Sequence, residues 1–150
     1  MNNFFKIVLT SLITLALTGG VVQAQDTPSP EEQEFVFRDS LFRVISYKAS
    51  QLPAAKAQGD QAAFQEAAAD IAYLSDMIVD GFQIEGNIPE NSLALPSIWE
   101  DFGNFTEKAH DLRNAAQALA DSGDMDSYDP RQFGGGNCGG CHRDHKQRAN

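Results

Sequence analysis

The only two cysteines of the chain lie near its C-terminus, in the run Cys138-Gly-Gly-Cys141-His142. Two thiols at this spacing, followed directly by a histidine, are the attachment signature of a c-type haem. Each thiol can form a thioether with a haem vinyl group, and the adjacent imidazole can bind the iron. The motif therefore predicts one covalently bound haem c per chain, with His142 as a ligand of the iron.

Other interpretations of the motif are less favoured. Cys138 and Cys141 could form a disulfide in an oxidising compartment. A thioredoxin-like redox pair would need a βαβ surrounding, whereas the rest of the chain has helical periodicity. A structural zinc site needs four nitrogen or sulfur ligands. His142 and His145 could only just complete such a set, with all four ligands crowded into eight residues.

Residues 1–24 have the pattern of an export signal. Lys6 precedes a short apolar run without charges, and Val22-Gln23-Ala24 offers the small residues of a cleavage site. A membrane span needs about 20 apolar residues, and this run has about half that number. We therefore expect cleavage after about Ala24, a periplasmic location, and a single domain over 25–150 that is not embedded in a membrane.

The chain as a whole is acidic. It has 150 residues and a formal net charge of −10, and removal of Lys6 with the export signal changes this charge to −11. A chain with this charge is poorly suited to binding phosphate backbones, so we expect no nucleic-acid partner. Any protein partner attracted by electrostatic steering should present a basic patch, although solubility is the favoured explanation of the charge.

Two segments with apolar residues at helical spacing follow the export signal. The first helix is predicted over about residues 31–52 and should end or kink there, because Pro53 disfavours α geometry in the residue before it. The second helix is predicted over about residues 60–80, with Asp60 as its N-cap.

After a long connection, a third helix has the clearest apolar pattern of the chain. Ser97 and Glu100 have the spacing of a capping box at its start, and Gly123 is the expected C-terminal cap. The last helix is predicted to begin near Asp129 and to carry the haem motif. Its Gly134–Gly136 either let the backbone approach the haem or break the helix. Four helices with one long crossover predict an all-α fold, an antiparallel four-helix bundle with the haem bound covalently.

These elements resemble the cytochrome c′ family over roughly residues 31–148. The resemblance is carried by Arg38 and Phe42 at i and i+4 on the first helix, by Pro96-Ser-Ile-Trp99-Glu-Asp101 at the start of the third, and by the C-x-x-C-H motif on the fourth. It implies a haem inside the bundle, bonded to both cysteines, with His142 as the proximal ligand. Phe42 would close the other side of the iron. Because phenylalanine cannot bind iron, the resemblance implies a five-coordinate, high-spin iron that admits nitric oxide (NO) or carbon monoxide (CO).

The same resemblance assigns further residues to the haem. Arg38 would approach a haem propionate. Phe82 and Trp99 match aromatic positions of the family, although core packing explains both equally well. Lys146 stands where the family commonly has an arginine, and it would keep a positive charge near the proximal histidine. Its neighbour His145 could be a pH-sensitive group beside the haem or an exposed polar residue, and exposure is expected.

The expected function is binding of diatomic gases together with electron transfer to redox partner proteins. The alternative is a low-spin, six-coordinate electron carrier with a Met or His sixth ligand, although Met77 is expected to be core filler. A peroxide-reducing enzyme would need a distal acid–base group, and only Arg38 is predicted nearby, so we expect no enzyme. The resemblance also suggests a homodimer formed through the first two helices, where the alanine-rich stretch 54–72 suits close packing.

Overall fold

The computed structural model describes residues 27–148, so the predicted export signal over residues 1–24 lies outside the described part. Its α-helices are α1 (Pro30–Gln58), α2 (Gln61–Asp76), α3 (Ser97–Glu100), α4 (Phe102–Ser122) and α5 (Gly139–His145). A 3₁₀-helix, Val79–Phe82, follows α2, and a π-helix, Arg131–Cys138, runs directly into α5. The predicted all-α fold, a four-helix bundle, is confirmed, with α3 and α4 sharing one arm and the π-helix and α5 sharing another.

Helix α1 continues through Pro53 instead of ending before it, so the boundary predicted at residue 52 is wrong. Leu52 and Ala55, on either side of the proline, are both buried in the core. Gly59 then ends the helix with a left-handed φ of 67° and donates its N–H to carbonyls of the last turn. Burial of the residues beyond Pro53, together with this glycine cap, outweighs the local effect of the proline.

Helix α2 has the predicted cap, because the Asp60 carboxylate accepts the N–H of Ala63 at 3.0 Å. The helix ends at Asp76, earlier than predicted, and the chain tightens into the 3₁₀-helix. There Gly81 lies so close to α1 that a Cβ at this position would be 2.7 Å from the Cβ of Arg38. A side chain at position 81 would therefore push the crossover away from α1.

The predicted third helix is divided into α3 and α4 by a break at Asp101. The Asp101 carboxylate, and not Ser97, caps the long helix, since it accepts the N–H of Asn104 at 3.1 Å. The Ser97 hydroxyl instead donates to the carbonyl of Asp144 at 2.6 Å, so the predicted capping box does not form. Gly123 ends α4 with a φ of 59°, as predicted.

The last helix begins after Pro130, close to its predicted start, and opens as a π-helix. This wide form is rare and occurs frequently at functional sites. Gly134–Gly136 lie within it and are exposed, and no atom beyond the local helix lies within 4 Å of a Cβ built on them. Because the π-helix runs through all three glycines, the helix is continuous there. After α5 the chain pairs with the crossover, where Gln147 donates its N–H to the carbonyl of Leu93 at 2.7 Å.

The apolar pattern of the third predicted helix forms a large part of the core. Its buried members on α3 and α4 are Ile98, Phe105, Ala109, Leu112 and Ala116. They belong to one cluster with buried residues of the other helices, including Leu41, Ile45, Phe64 and Ile71. Among the helices of residues 27–148, none has the length and apolar character that a membrane span requires.

Candidate functional site

A cavity of about 570 Å³ lies between α1, α4 and the helix that carries the C-x-x-C-H motif. Cys138, Cys141 and His142 line it, together with Phe42 and Phe82. Both cysteines are free thiols and are half-buried. The structure thus brings both cysteines and the histidine of the motif to the same mainly apolar cavity as the two predicted phenylalanines.

Burial sets the protonation of the motif. It raises the pKa of the Cys141 thiol to about 11 and also raises the pKa of Cys138. Burial lowers the pKa of His142, and the charge of Lys146 lowers it further. A neutral imidazole is the form that binds a metal ion. The motif therefore presents two protonated thiols and one neutral imidazole.

Helix α1 supplies the wall that contains Phe42. The Phe42 ring is half-buried and meets the ring of Phe82 edge-to-face, with the centroids 6.3 Å apart. Three polar residues without a sequence prediction also line this wall: Asp39, Arg43 and Ser46. Asp39 precedes Phe42 by three residues and Ser46 follows it by four. Residues at this spacing lie on one face of a helix, so the sequence pattern around Phe42 could have predicted that they line the same wall.

Arg38 lines the cavity but also holds the crossover to α1. Its side chain is almost fully buried, and burial lowers its pKa while the charge of Glu34 opposes that shift. Nη1 donates to the carbonyl of Gly81 at 3.2 Å, and Nη2 donates to the carbonyl of Asn87 at 2.6 Å. The guanidinium carbon lies 5.0 Å from the centroid of the Phe82 ring, within cation–π range. The predicted propionate-binding residue therefore has a structural function as well.

Glu34 completes this buried polar network. One carboxylate oxygen accepts the N–H of Ile84 at 2.9 Å, and the other accepts the Nδ2–H of Asn87 at 3.1 Å. The second oxygen also lies 3.7 Å from Nη1 of Arg38. We call Glu34, Arg38 and Asn87 the crossover network, because they join α1 to the segment after the 3₁₀-helix.

Trp99 packs behind the cavity rather than lining it. Its Nε1–H donates to the carbonyl of Phe82 at 3.0 Å, and the two rings lie 6.1 Å apart in a tilted arrangement. Phe82 does line the cavity. Of the two predicted aromatic residues, Phe82 is therefore placed against the cavity, whereas Trp99 supports Phe82 from behind.

His145 is buried, so the predicted exposure is wrong. Only 5% of its surface is accessible. Its Nδ1 lies 3.2 Å from the Ser97 hydroxyl, and its Nε2 lies 3.4 Å from Oδ1 of Asn104. Its ring stands edge-on to Phe105. These partners are far away in sequence, whereas Lys146, the next residue, is exposed at the edge of the cavity.

The buried His145 should make the protein less stable in mild acid. Burial lowers its pKa, Asp144 and Asp101 oppose that shift, and Lys108 supports it. The unfolded chain therefore binds a proton first, and the stability present above about pH 6.5 is lost as the pH falls through the folded-state pKa. Urea unfolding at about pH 7.5 and about pH 5 should show a smaller pH effect in His145→Gln. An equal pH effect in both proteins would contradict this prediction.

The residues around the cavity fit a covalently attached haem. Two free thiols and a neutral imidazole lie on the motif helix, and the apolar side chains of the α1 wall, including Phe42 and Ile45, can pack against a flat apolar ring. Within residues 27–148, no group of three or more His, Cys, Asp or Glu side chains is placed to hold a bare metal ion. The geometry therefore favours the haem interpretation over the zinc interpretation.

Comparison with known proteins agrees with this assignment. The sequence model of a family described as cytochrome C' matches residues 33–146. Among solved structures, cytochrome c prime from Shewanella frigidimarina is 27% identical, with a TM-score of 0.65 over 81% of this chain and 100% of that chain. Cytochrome c' from Rubrivivax gelatinosus is 26% identical, with a TM-score of 0.65 over 78% and 97% of the two chains. A ferrous variant from Alcaligenes xylosoxidans with bound NO is 25% identical, with a TM-score of 0.67 over 82% and 100%. No curated protein sequence matches the chain closely enough to count as a relative.

Proposed function

Since the chain belongs to the cytochrome c′ family, whose members bind c-type haem covalently, we propose that it is a periplasmic haem protein that binds diatomic gases and transfers electrons. When bound, the haem supplies an iron that can take a gas molecule and change its charge by one electron. The observation that carries the proposal is the presence of Phe42 on the α1 wall of the cavity that the motif also lines.

Export with cleavage after about Ala24 predicts a mature N-terminus near Gln25, which intact mass would test.

The proposed roles follow from the chemistry of each side chain. Cys138 and Cys141 hold the haem through thioethers, and His142 is the proximal ligand. Arg38 and Lys146 are the cations that we assign to the haem surroundings. Phe42 covers the distal side and excludes water, because an apolar ring offers no hydrogen bond and no ligand atom.

The surroundings of the cavity favour five-coordinate over six-coordinate iron. No methionine is among the described residues that line the cavity, and Met77 and Met125 pack against the core instead. His145 does line the cavity, but both of its ring nitrogens face protein partners, Ser97 and Asn104. A Met or His sixth ligand would therefore require these side chains to rearrange.

Gas binding has further support from a similar protein, the Alcaligenes xylosoxidans variant, which was solved with bound NO.

We propose no enzymatic activity. The carboxylate that lines the α1 wall belongs to Asp39, and Nε of Arg43 binds it at 2.8 Å. This ion pair leaves the wall without a free acid–base group of the kind that peroxide reduction needs.

An optical spectrum of the reduced holoprotein, with and without CO, tests the proposal. A broad high-spin spectrum that changes on CO addition is expected, because Phe42 leaves the distal position open to small gases. A sharp low-spin spectrum that CO does not change would mean that a side chain fills the sixth position. The six-coordinate electron carrier would then be the correct function.

Phe42→Ala should bind CO more tightly than the parent protein. A ligand that pushes aside a packed ring meets a steric cost of about 1–3 kcal/mol, so removing the ring should raise the affinity by about 5- to 150-fold. CO titration of the ferrous holoprotein measures this change. Phe37→Ala is the matched control, because Phe37 lies on the same helix but does not line the cavity. Equal affinities in both variants would overturn the distal role of Phe42.

We also propose a homodimer formed through α1 and α2. Large apolar side chains are exposed on these two helices: Val36, Phe37, Val44, Tyr47 and Tyr73. An apolar face of this kind is typical of a protein–protein contact. Sedimentation velocity of the mature holoprotein should give the mass of two chains, and a monomer mass at all concentrations would exclude the dimer.

A further inference from the structure

Charge is distributed unevenly between the bundle and the segment that carries the haem. Residues 27–130 contain 19 Asp and Glu against six Lys and Arg, whereas residues 131–148 contain one Asp against four Lys and Arg. The haem-carrying segment is therefore basic within a strongly acidic protein. The net charge of the whole chain does not describe this part of its surface.

The cations of the two regions also differ in their partners. Five of the six in residues 27–130 form ion pairs, namely Arg38, Arg43, Lys48, Lys108 and Arg113. The sixth, Lys56, donates to the carbonyl of Tyr128. By contrast, all four cations of residues 131–148 are exposed, and none has an ion-pair partner among residues 27–148; they are Arg131, Arg143, Lys146 and Arg148. We call these four residues the basic face. The single acid of this segment, Asp144, is itself paired with Lys108 at 3.1 Å.

Two members of the basic face, Arg143 and Lys146, lie directly beside the haem-attachment motif. The Arg143 guanidinium folds back over the two glycines between the cysteines, since its nitrogens lie 3.9 Å and 3.8 Å from the Cβ positions built on Gly139 and Gly140. Lys146 lines the cavity itself. Between Arg131 and the motif, the exposed Gly134–Gly136 present backbone without side chains. A partner can therefore approach the haem attachment segment closely at this face.

We propose that the basic face is the docking surface for an acidic redox protein, an inference that rests on the proposed electron transfer. One electron passes between the haem iron and the partner's redox centre, so that one is oxidised as the other is reduced and no atom is transferred. Complementary charge steers such encounters and fixes their orientation. At about 0.1 M salt the Debye length is about 10 Å. A docking partner therefore senses the cations beside the motif more strongly than carboxylates that lie further away than this length.

Two small oxidants of opposite charge test the sign of the local field. Ferricyanide carries a charge of about −3 and tris(phenanthroline)cobalt(III) about +3, and each takes one electron from the ferrous holoprotein. From about 0.05 M to about 0.5 M NaCl, the rate constant with ferricyanide should fall by about 3- to 10-fold, and the rate constant with the cobalt complex should rise. The net charge of −11 after removal of the export signal predicts the opposite signs.

Two double variants with the same change in net charge separate the effect of the basic face from the effect of the net charge of the whole molecule. Arg143→Gln with Arg148→Gln should flatten or reverse the salt dependence with ferricyanide. Ala62→Glu with Ala118→Glu, at exposed positions on α2 and α4 outside the cavity lining, should leave it unchanged. Equal effects of the two variants, or a ferricyanide rate that rises with salt in the parent protein, would overturn the proposal. Pelleting with phosphatidylglycerol vesicles that the arginine variant abolishes would assign the face to a membrane and would also overturn it. Failure of both oxidants to react would instead refute the proposed electron transfer itself.

Discussion

Serine at both Cys138 and Cys141 is expected to leave the chain without covalently bound haem. A thioether needs the sulfur of a thiol, which adds to a vinyl carbon while its proton goes to the neighbouring carbon, and a serine hydroxyl does not react in this way. The two thiols are the only ones in the chain, so no other residue can replace them. Intact mass of the denatured protein measures the result, because only a covalent haem stays with the chain.

Single variants and a matched control make this expectation specific. Cys138→Ser and Cys141→Ser should each keep a haem through the remaining thioether. Gly140→Ser places the same new hydroxyl between the cysteines, where the nearest atom to an added Cβ belongs to the flexible Arg143 side chain at 3.8 Å. This control should therefore keep both thioethers. Covalent haem in the double cysteine variant would refute the attachment assignment.

Features that depend on a few neighbouring residues were predictable from the sequence. The cap at Asp60, the glycine end of α4 at Gly123 and the helical spacing of the core are all confirmed. Each depends on contacts within one or two turns of helix. The C-x-x-C-H motif has the same property, because attachment chemistry requires its spacing and neighbouring histidine.

Features that depend on distant partners were not predictable. Ser97 has the local pattern of a cap, but its hydroxyl donates to the carbonyl of Asp144, 47 residues away. Exposure of His145 is the local expectation, and it is wrong because the fold brings the distant Ser97 and Asn104 to its ring. Pro53 is a reliable helix end only where nothing beyond it is buried. In each case tertiary contacts outweigh a correct local preference.

The crossover network also depends on contacts between residues that are far apart in sequence. We expect its loss to have a large effect on the free energy of unfolding. Glu34 and Arg38 have the i, i+4 spacing of an ordinary surface ion pair. The fold buries this pair and adds Asn87, 53 residues from Glu34, so that the pair joins α1 to the crossover. The sequence shows the spacing but not the burial, and burial determines the energy of such a pair.

Glu34→Ala should therefore destabilise the holoprotein by about 3–5 kcal/mol, the cost of removing one partner of a buried ion pair. The Ile84 N–H loses its acceptor, the Asn87 side-chain amide keeps only the carbonyl of Glu31, and the Arg38 guanidinium loses the nearest negative charge. Glu34→Gln should be milder, because its amide oxygen can still accept the Ile84 N–H. Guanidinium unfolding followed by circular dichroism gives the free energy of unfolding for each protein.

The ion pair between Asp39 and Arg43 is the matched control, because it has the same i, i+4 spacing on the same helix but is exposed. Asp39→Ala should cost about 1 kcal/mol or less, since solvent screens an exposed pair. A difference of several kcal/mol between Glu34→Ala and Asp39→Ala would identify burial, and not helix spacing, as the source of the energy. Equal effects would mean that the crossover is held mainly by apolar packing around Phe82, with the polar network making no net contribution.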